Sequence, residues 1–125
     1  MAKNKPKILV VEDDKFLLKA YKIKFDKSGF EAIIASDGIE GLAATKKELP
    51  SVIVLDLMLP RMNGFEFLKA IKSDEKTKNI PVIALSNLGQ KSDQEKTMEL
   101  GASEYLIKTD YSLEEIADKI KKHII

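Results

Sequence analysis

Three acidic residues, Glu12, Asp13 and Asp14, stand directly behind the aliphatic run Ile8 to Val11. A second run, Val52 to Leu55, ends on Asp56; a third, Val82 to Leu85, ends on Ser86; and Tyr105 to Ile107 ends on Lys108. Carboxylates held a few ångströms apart repel one another, which is tolerable when they share a hard cation or keep a proton. Mg²⁺ suits such a group, because it takes an octahedral shell of oxygens and is commonly held by one or two carboxylates plus a phosphate oxygen. An aspartate beside that ion can act as a nucleophile towards phosphorus. Lys108 would then neutralise one equatorial phosphoryl oxygen and the Ser86 hydroxyl would donate to another, so that the transferring group meets fixed positive or donor partners.

That chemistry requires distant loops to converge, and the spacing of apolar residues says how. Strand-sized runs at Ile8 to Val11, Phe30 to Ala35, Val52 to Leu55, Val82 to Leu85 and Tyr105 to Ile107 alternate with segments whose apolar residues return every three or four positions, such as Leu17, Ala20 and Tyr21, or Phe65, Leu68 and Ile71. Asp37 with Glu40, Asn63 with Glu66 and Ser112 with Glu115 carry the spacing of helix N-terminal caps. Gly29 and Gly101 fall where left-handed residues end helices, and Pro50 and Pro81 stand just before strands, where no ladder donor is lost.

Five strand–helix units imply a parallel sheet covered by helices on both faces, since each crossover is right-handed. The first, third and fourth runs are nearly uninterrupted aliphatics, as interior strands are, whereas Glu31 and Glu104 mark the second and fifth as edges. The expected fold is therefore a flavodoxin-like α/β domain with a five-stranded parallel sheet in the order 2-1-3-4-5 and five helices. In such sheets ligands bind beyond the carboxyl ends of the strands at the topological switch point, here between the first and third strands, where Asp13 and Asp56 would face each other.

With those residues in place, the chain resembles the receiver domain of two-component response regulators over nearly its whole length. Val-Val-Glu12-Asp13-Asp14 is similar to the family's acidic metal-binding motif, and Leu-Asp56-Leu-Met-Leu-Pro60-Arg-Met-Asn-Gly64 to its phosphoacceptor motif. Ala-Leu-Ser86 matches the hydroxyl position, and Gly101-Ala-Ser-Glu-Tyr105-Leu-Ile-Lys108 the aromatic switch and lysine. The resemblance implies that Asp56 accepts a phosphoryl group from a histidine kinase or phosphotransfer protein, with Mg²⁺ held by Glu12, Asp13, Asp56 and the Met58 main-chain carbonyl. It further implies that Ser86 moves towards the phosphoryl group and Tyr105 turns inward, altering a protein-binding surface on helix 4, strand 5 and helix 5. Helix 1, with Phe16, Leu17 and Leu18, is the expected kinase-docking face, core packing explaining most of those side chains.

Three positions depart from the family pattern. Thr109 stands where Pro usually follows the lysine; a non-proline cis bond costs about 2.5 to 4 kcal/mol, so a different or trans loop is expected there. Asn87 is larger and more polar than the usual small residue, and Ser86 replaces the commoner Thr. Met58 and Leu88, at positions that influence autodephosphorylation in the family, cannot orient water by hydrogen bonding, and slow hydrolysis of the phosphorylated form is expected; covering the cleft is an equally good account of both. The plainer readings make Asp14 the cap of the first helix, Ser86 a cap of helix 4, Tyr105 an edge-strand aromatic, and His123 a cation in the last helical turn with no catalytic role. Lys119, Lys121 and Lys122 read as a solvated helix face.

The chain has 125 residues, 44% hydrophobic and 33% charged, enough for one domain with a sizeable core. Residues 1–125 are taken as a single domain with 1–6 a flexible basic N-terminus. Lys and Arg number 21 against 20 Asp and Glu, which gives no overall field for nucleic acid or a membrane. The absence of cysteine excludes disulfides and thiolate chemistry. No apolar run approaches the roughly 18 residues that span a bilayer, so a cytoplasmic location is expected. The implied protein is a monomer or weak phosphorylation-dependent dimer, acting on an unknown downstream protein, and is no enzyme beyond its own phosphorylation and dephosphorylation. The rivals are a phosphorylation-independent scaffold and an aspartate-nucleophile phosphatase; the latter commonly needs a second Asp at Met58. Flavin or nucleotide binding lacks a Gly-rich loop after the first strand.

Overall fold

The computed structural model describes residues 5–87 and 90–124, so Leu88 and the first four residues of the expected N-terminal arm lie outside the described residues. Five strands, β1 (Lys7–Val11), β2 (Glu31–Ala35), β3 (Val52–Asp56), β4 (Val82–Ser86) and β5 (Glu104–Ile107), alternate with five helices. The helices are α1 (Lys15–Lys27), α2 (Gly38–Glu48), α3 (Gly64–Lys72), α4 (Lys91–Glu99) and α5 (Leu113–Ile124). All strand pairings are parallel, in the order β2-β1-β3-β4-β5. The expected order is met, with the Glu31 and Glu104 strands at the two edges.

Strand alternation divides the core into two layers. Ile8, Val10, Val52, Val54, Ile83 and Leu85 pack with Leu18, Tyr21 and Phe25 of α1 and Ile116, Ala117 and Ile120 of α5. Leu9, Val11, Ile53, Leu55, Val82 and Ala84 face the other way, onto Phe67, Leu68 and Ile71 of α3. Burying each large aliphatic or aromatic side chain contributes roughly 1.5 to 3 kcal/mol, so this double-sided burial fixes the central strands and the positions of their carboxyl ends.

Local chemistry sets where the helices begin. Asp14 caps α1, accepting from the amides of Phe16 and Leu17, and Asp37 accepts from Glu40 N at the start of α2. Asn63 and Glu66 form a reciprocal capping box on α3, and Ser112 and Glu115 exchange the same pair of bonds before α5. Ser86 does not cap α4: it ends β4, and Gln90 occupies the cap position without a side-chain bond. Gly29 and Gly101 adopt φ of 96° and 104°. Leu49 reaches φ 46° at the end of α2, a left-handed cap on a residue with no intrinsic liking for it, immediately before Pro50.

Candidate functional site

At the carboxyl ends of β1 and β3 the chain opens a cleft of about 490 Å³, lined by Glu12, Asp13, Asp14, Leu17, Asp56, Met58, Asn87 and Lys108. β1 lies beside β3 with Val11 opposite Leu55, so the residues that follow, Glu12 and Asp56, come out side by side. Oxygens of Glu12, Asp13 and Asp56 all lie within 4.8 Å of one another. Glu12 and Asp56 are buried, whereas Asp13 is exposed at the mouth.

Lys108 closes the cluster from the far side of the sheet. Its ammonium donates to Glu12 Oε1 at 2.7 Å and to Asp56 Oδ2 at 3.1 Å. The remaining oxygens are also engaged: Asp14 N donates to Glu12 Oε2 at 3.1 Å, and Met58 N to Asp56 Oδ1 at 3.0 Å. Burial pushes the Glu12 carboxyl above its ordinary range, more than the Lys108 bond draws it down. For Lys108, burial works against the charged form, but the hydrogen bond to Glu12 and the charges of Asp56 and Glu12 outweigh it and hold the ammonium above its ordinary value. Tyr21, beneath the cluster, is raised to about 12, first by burial.

Lys108 opens a short 3₁₀ turn, Lys108–Asp110, in place of a direct continuation of β5, and no cis peptide occurs among the described residues. This agrees with the trans or altered loop expected from Thr109. Ser86 is buried as the last residue of β4, and Tyr105 packs half-buried against the layer that contains α3; neither is in the lining of the cleft. Asn87 is, next to Met58, whose side chain is 63% exposed. The sequence reading missed the pairing of Lys108 with Glu12, for which one strand's terminal residue offers no signal until the sheet order is known.

Away from the cleft, one expectation is corrected. Lys119 is not simply solvated: its ammonium lies 3.1 Å from Glu104 Oε1, and His123 Nε2 lies 2.6 Å from Glu104 Oε2. Both therefore tie α5 to β5, because residues 119 and 123 are one helical turn apart on the same face. Core packing accounts for Leu17 and Leu18, most of the three side chains as expected, and leaves Phe16 88% exposed.

The carboxylate donor set fits a hard divalent cation: oxygens only, two of the three carboxylates buried, and a single ammonium against them. A doubly wound parallel sheet with an acid cluster at its switch point, an aspartate closing the third strand and a lysine reaching over from the fifth defines a class of signalling domain. Comparison with known proteins agrees: the family described as "Response regulator receiver domain" matches residues 8–121, and the chain belongs to that family. It is 35% identical over 116 residues to the DNA-binding dual master transcriptional regulator RpaA of Synechocystis, covering 93% of this chain and 48% of that protein. It is 31% identical over 117 residues to the polar-differentiation response regulator DivK of Brucella ovis, covering 94% of both chains. A receiver domain of a Francisella response regulator superposes with a TM-score of 0.87 at 32% identity, covering 95% of this chain and 96% of that one. The chain thus spans about half the length of RpaA and nearly all of DivK. No described helix is long and apolar enough to cross a membrane.

Proposed function

We infer that Asp56 is the phosphoacceptor of this receiver domain. The observation that carries the reading is the meeting of Asp56 with Glu12, Asp13 and Lys108 in one cleft. An Asp56 carboxylate oxygen attacks the phosphorus of a phosphohistidine on a histidine kinase or phosphotransfer protein, a P–O bond forms as the P–N bond breaks, and the electron pair returns to the imidazole. Lys108 balances charge on the phosphoryl oxygens, and Ser86, at the end of a neighbouring strand, moves towards the phosphoryl group and supplies a hydroxyl donor. Glu12, Asp13, Asp56 and the Met58 carbonyl are the groups that would hold Mg²⁺, which when bound offsets the negative charge gathered between phosphoryl group and carboxylates.

The output is a population shift. Withdrawal of Lys108 and Ser86 towards the phosphoryl group alters the strand ends that carry them, and Tyr105 turns with β5, changing the face made by α4, β5 and α5. A differential of a few kcal/mol between two states suffices. The exposed Phe16 at the start of α1, next to the acidic mouth, supports docking of the phosphodonor there. The domain catalyses its own phosphorylation and dephosphorylation only, and acts on a downstream protein rather than directly on nucleic acid.

Intact-mass measurement after treatment with acetyl phosphate and Mg²⁺ tests this, with Asp56→Asn alongside. One added phosphoryl group in the wild type and none in the variant is expected. Labelling that persists unchanged in Asp56→Asn removes Asp56 as acceptor.

A further inference from the structure

The loop between β3 and α3, residues 57–63, carries Met58, whose amide donates to Asp56 Oδ1 and whose carbonyl is one of the groups that would hold Mg²⁺. Leu57 and Leu59 seat the chain in the core on either side of it. The far limb of the loop is unusual. Met62 N donates to Pro60 O at 2.7 Å, closing a three-residue turn with Arg61 at its centre, and Arg61 has φ 66°. A γ-turn with positive φ is rare and strained, and a residue other than glycine persists there only where its surroundings dictate it. Two contacts do so here, both with the start of α2. Arg61 Nη1 lies 3.3 Å from Asp37 Oδ2, while Asp37 Oδ1 accepts from Glu40 N at 2.8 Å, so one buried carboxylate caps α2 and grips the loop. Beside it, α2 begins on Gly38, where a Cβ would stand 2.1 Å from Met62 O. Loop and helix backbones therefore touch with no side chain between them.

We propose that Arg61 and Asp37 are positioning residues for the phosphoryl site: their ion pair latches the loop to α2 and thereby sets the direction of the Met58 carbonyl. Neither lines the cleft. Each residue turns about two soft dihedrals, so seating Leu57 and Leu59 fixes where the peptide between Met58 and Leu59 lies but leaves its carbonyl able to rotate. Fixing the chain beyond Pro60 removes that freedom, because Pro60 has a set φ and restricts Leu59 before it. Without the pair the strained turn at Arg61 relaxes, and the loop spends part of its time with the carbonyl turned away. Affinity for a cation then falls by the fraction of molecules in the competent state. Arg61 is more than half exposed, and an exposed ion pair contributes little stability, so the effect falls on the site rather than on the fold. This role rests on the reading that Asp56 and the Met58 carbonyl take Mg²⁺.

The test is an amide chemical-shift titration of the isotope-labelled full chain with MgCl₂, on the wild type, Arg61→Gln, Arg61→Lys and Asp37→Asn. Charge alone acts oppositely in two of these: losing the Arg61 cation tightens Mg²⁺ binding, and losing the Asp37 anion weakens it. A positioning pair instead weakens binding in both Arg61→Gln and Asp37→Asn, by roughly tenfold, as for other groups that orient a metal ligand. Arg61→Lys keeps an ammonium for Asp37 and is expected to recover most of the loss. Asparagine caps helices as well as aspartate does, so Asp37→Asn keeps the start of α2. Metal-free spectra unchanged outside the loop and the first turn of α2 are the check on folding. The Met58 amide, the donor to Asp56, is expected to shift in each variant that binds Mg²⁺ more weakly. Affinity in Arg61→Gln equal to the wild type or tighter overturns the positioning role and leaves the metal site standing. A wild type whose Glu12, Asp13, Asp56 and Met58 amides do not respond to millimolar Mg²⁺ overturns the metal reading and this role together.

Discussion

The Lys108 ammonium lies 2.7 Å from Glu12 Oε1, joining the end of the fifth strand to the end of the first across the two strands between them. Both side chains are almost wholly shielded, 11% and 2% exposed, so this ion pair balances the acid cluster from within the protein. A buried pair of this kind is poor evidence of net stabilisation, but removing one member leaves an uncompensated charge.

Lys108→Ala therefore leaves the Glu12 and Asp56 carboxylates without their ammonium and is expected to cost about 3 kcal/mol in chelator. Millimolar Mg²⁺ should recover more stability in the variant than in the wild type, because the cation then supplies the only positive charge. Urea denaturation with EDTA and with MgCl₂ measures both. Equal Mg²⁺ effects in the two proteins would show that Lys108 and the metal do not draw on the same carboxylates.

Met58 sits at the mouth with its thioether side chain largely in solvent, and it cannot hold a water in line with phosphorus. The phosphorylated form is expected to hydrolyse slowly, and Met58→Asn, which adds a hydrogen-bonding amide, to shorten its lifetime by roughly a factor of a few to ten, about 1 kcal/mol in the barrier. Decay of the phosphoprotein followed by intact mass decides the matter. A fast wild type that slows in Met58→Asn contradicts the reading.

Glu104 receives both Lys119 and His123. Burial raises its carboxyl, but the bonds to His123 and Lys119 outweigh this and hold it below its ordinary value of 4.5. A carboxyl depressed in the folded state stabilises above its unfolded pKa and loses that contribution as pH falls through the folded value. Glu104→Gln is thus expected to lower stability by about 1 kcal/mol at pH 7. The difference should shrink steadily as pH falls below about 4.5. Thermal unfolding of both proteins at pH 7 and at pH 3.5 provides the comparison; a gap that widens on acidification rules out this role for Glu104.

Gly64 opens α3 behind the phosphoacceptor loop. A Cβ placed there would stand 2.5 Å from Leu57 Cα and 3.0 Å from Leu57 O, contacts with backbone that no side-chain rotation relieves. Gly64→Ala is expected to cost roughly 1 to 3 kcal/mol and to displace the loop that carries Met58 N, the donor to Asp56. A drop in urea midpoint together with slower acetyl-phosphate labelling is the expected pair of results. Unchanged stability would show that the loop yields without strain.

Much of this arrangement was legible in the residues because its signals are local. Aliphatic runs made the strands, Asn63 with Glu66 and Ser112 with Glu115 announced helix starts, and Glu31 and Glu104 marked the edges. The acid group could be placed because a parallel sheet with a known switch point puts the ends of its first and third strands together. What escaped reading depends on distances between elements: the Lys108 pairing with Glu12, the joint hold of Lys119 and His123 on Glu104, and the exposure of Phe16. The left-handed Leu49 escaped for the opposite reason. Nothing in leucine asks for that conformation, and Thr45 O accepting from Leu49 N, with the start of β3 close behind, imposes it.

The sheet order also bears on how the molecule is made. β1, the first of these five strands to be synthesised, occupies the interior of the sheet, with β2 on one side and β3 on the other. The β1-α1-β2 unit closes by short-range contacts, yet its inner strand keeps one edge unpaired until β3 emerges. Half-synthesised chains consequently expose an apolar ribbon, Ile8 to Val11, to chaperones and neighbouring nascent chains. Delay in translation between Ala35 and Val52 would be felt as aggregation rather than as loss of signalling in the finished protein.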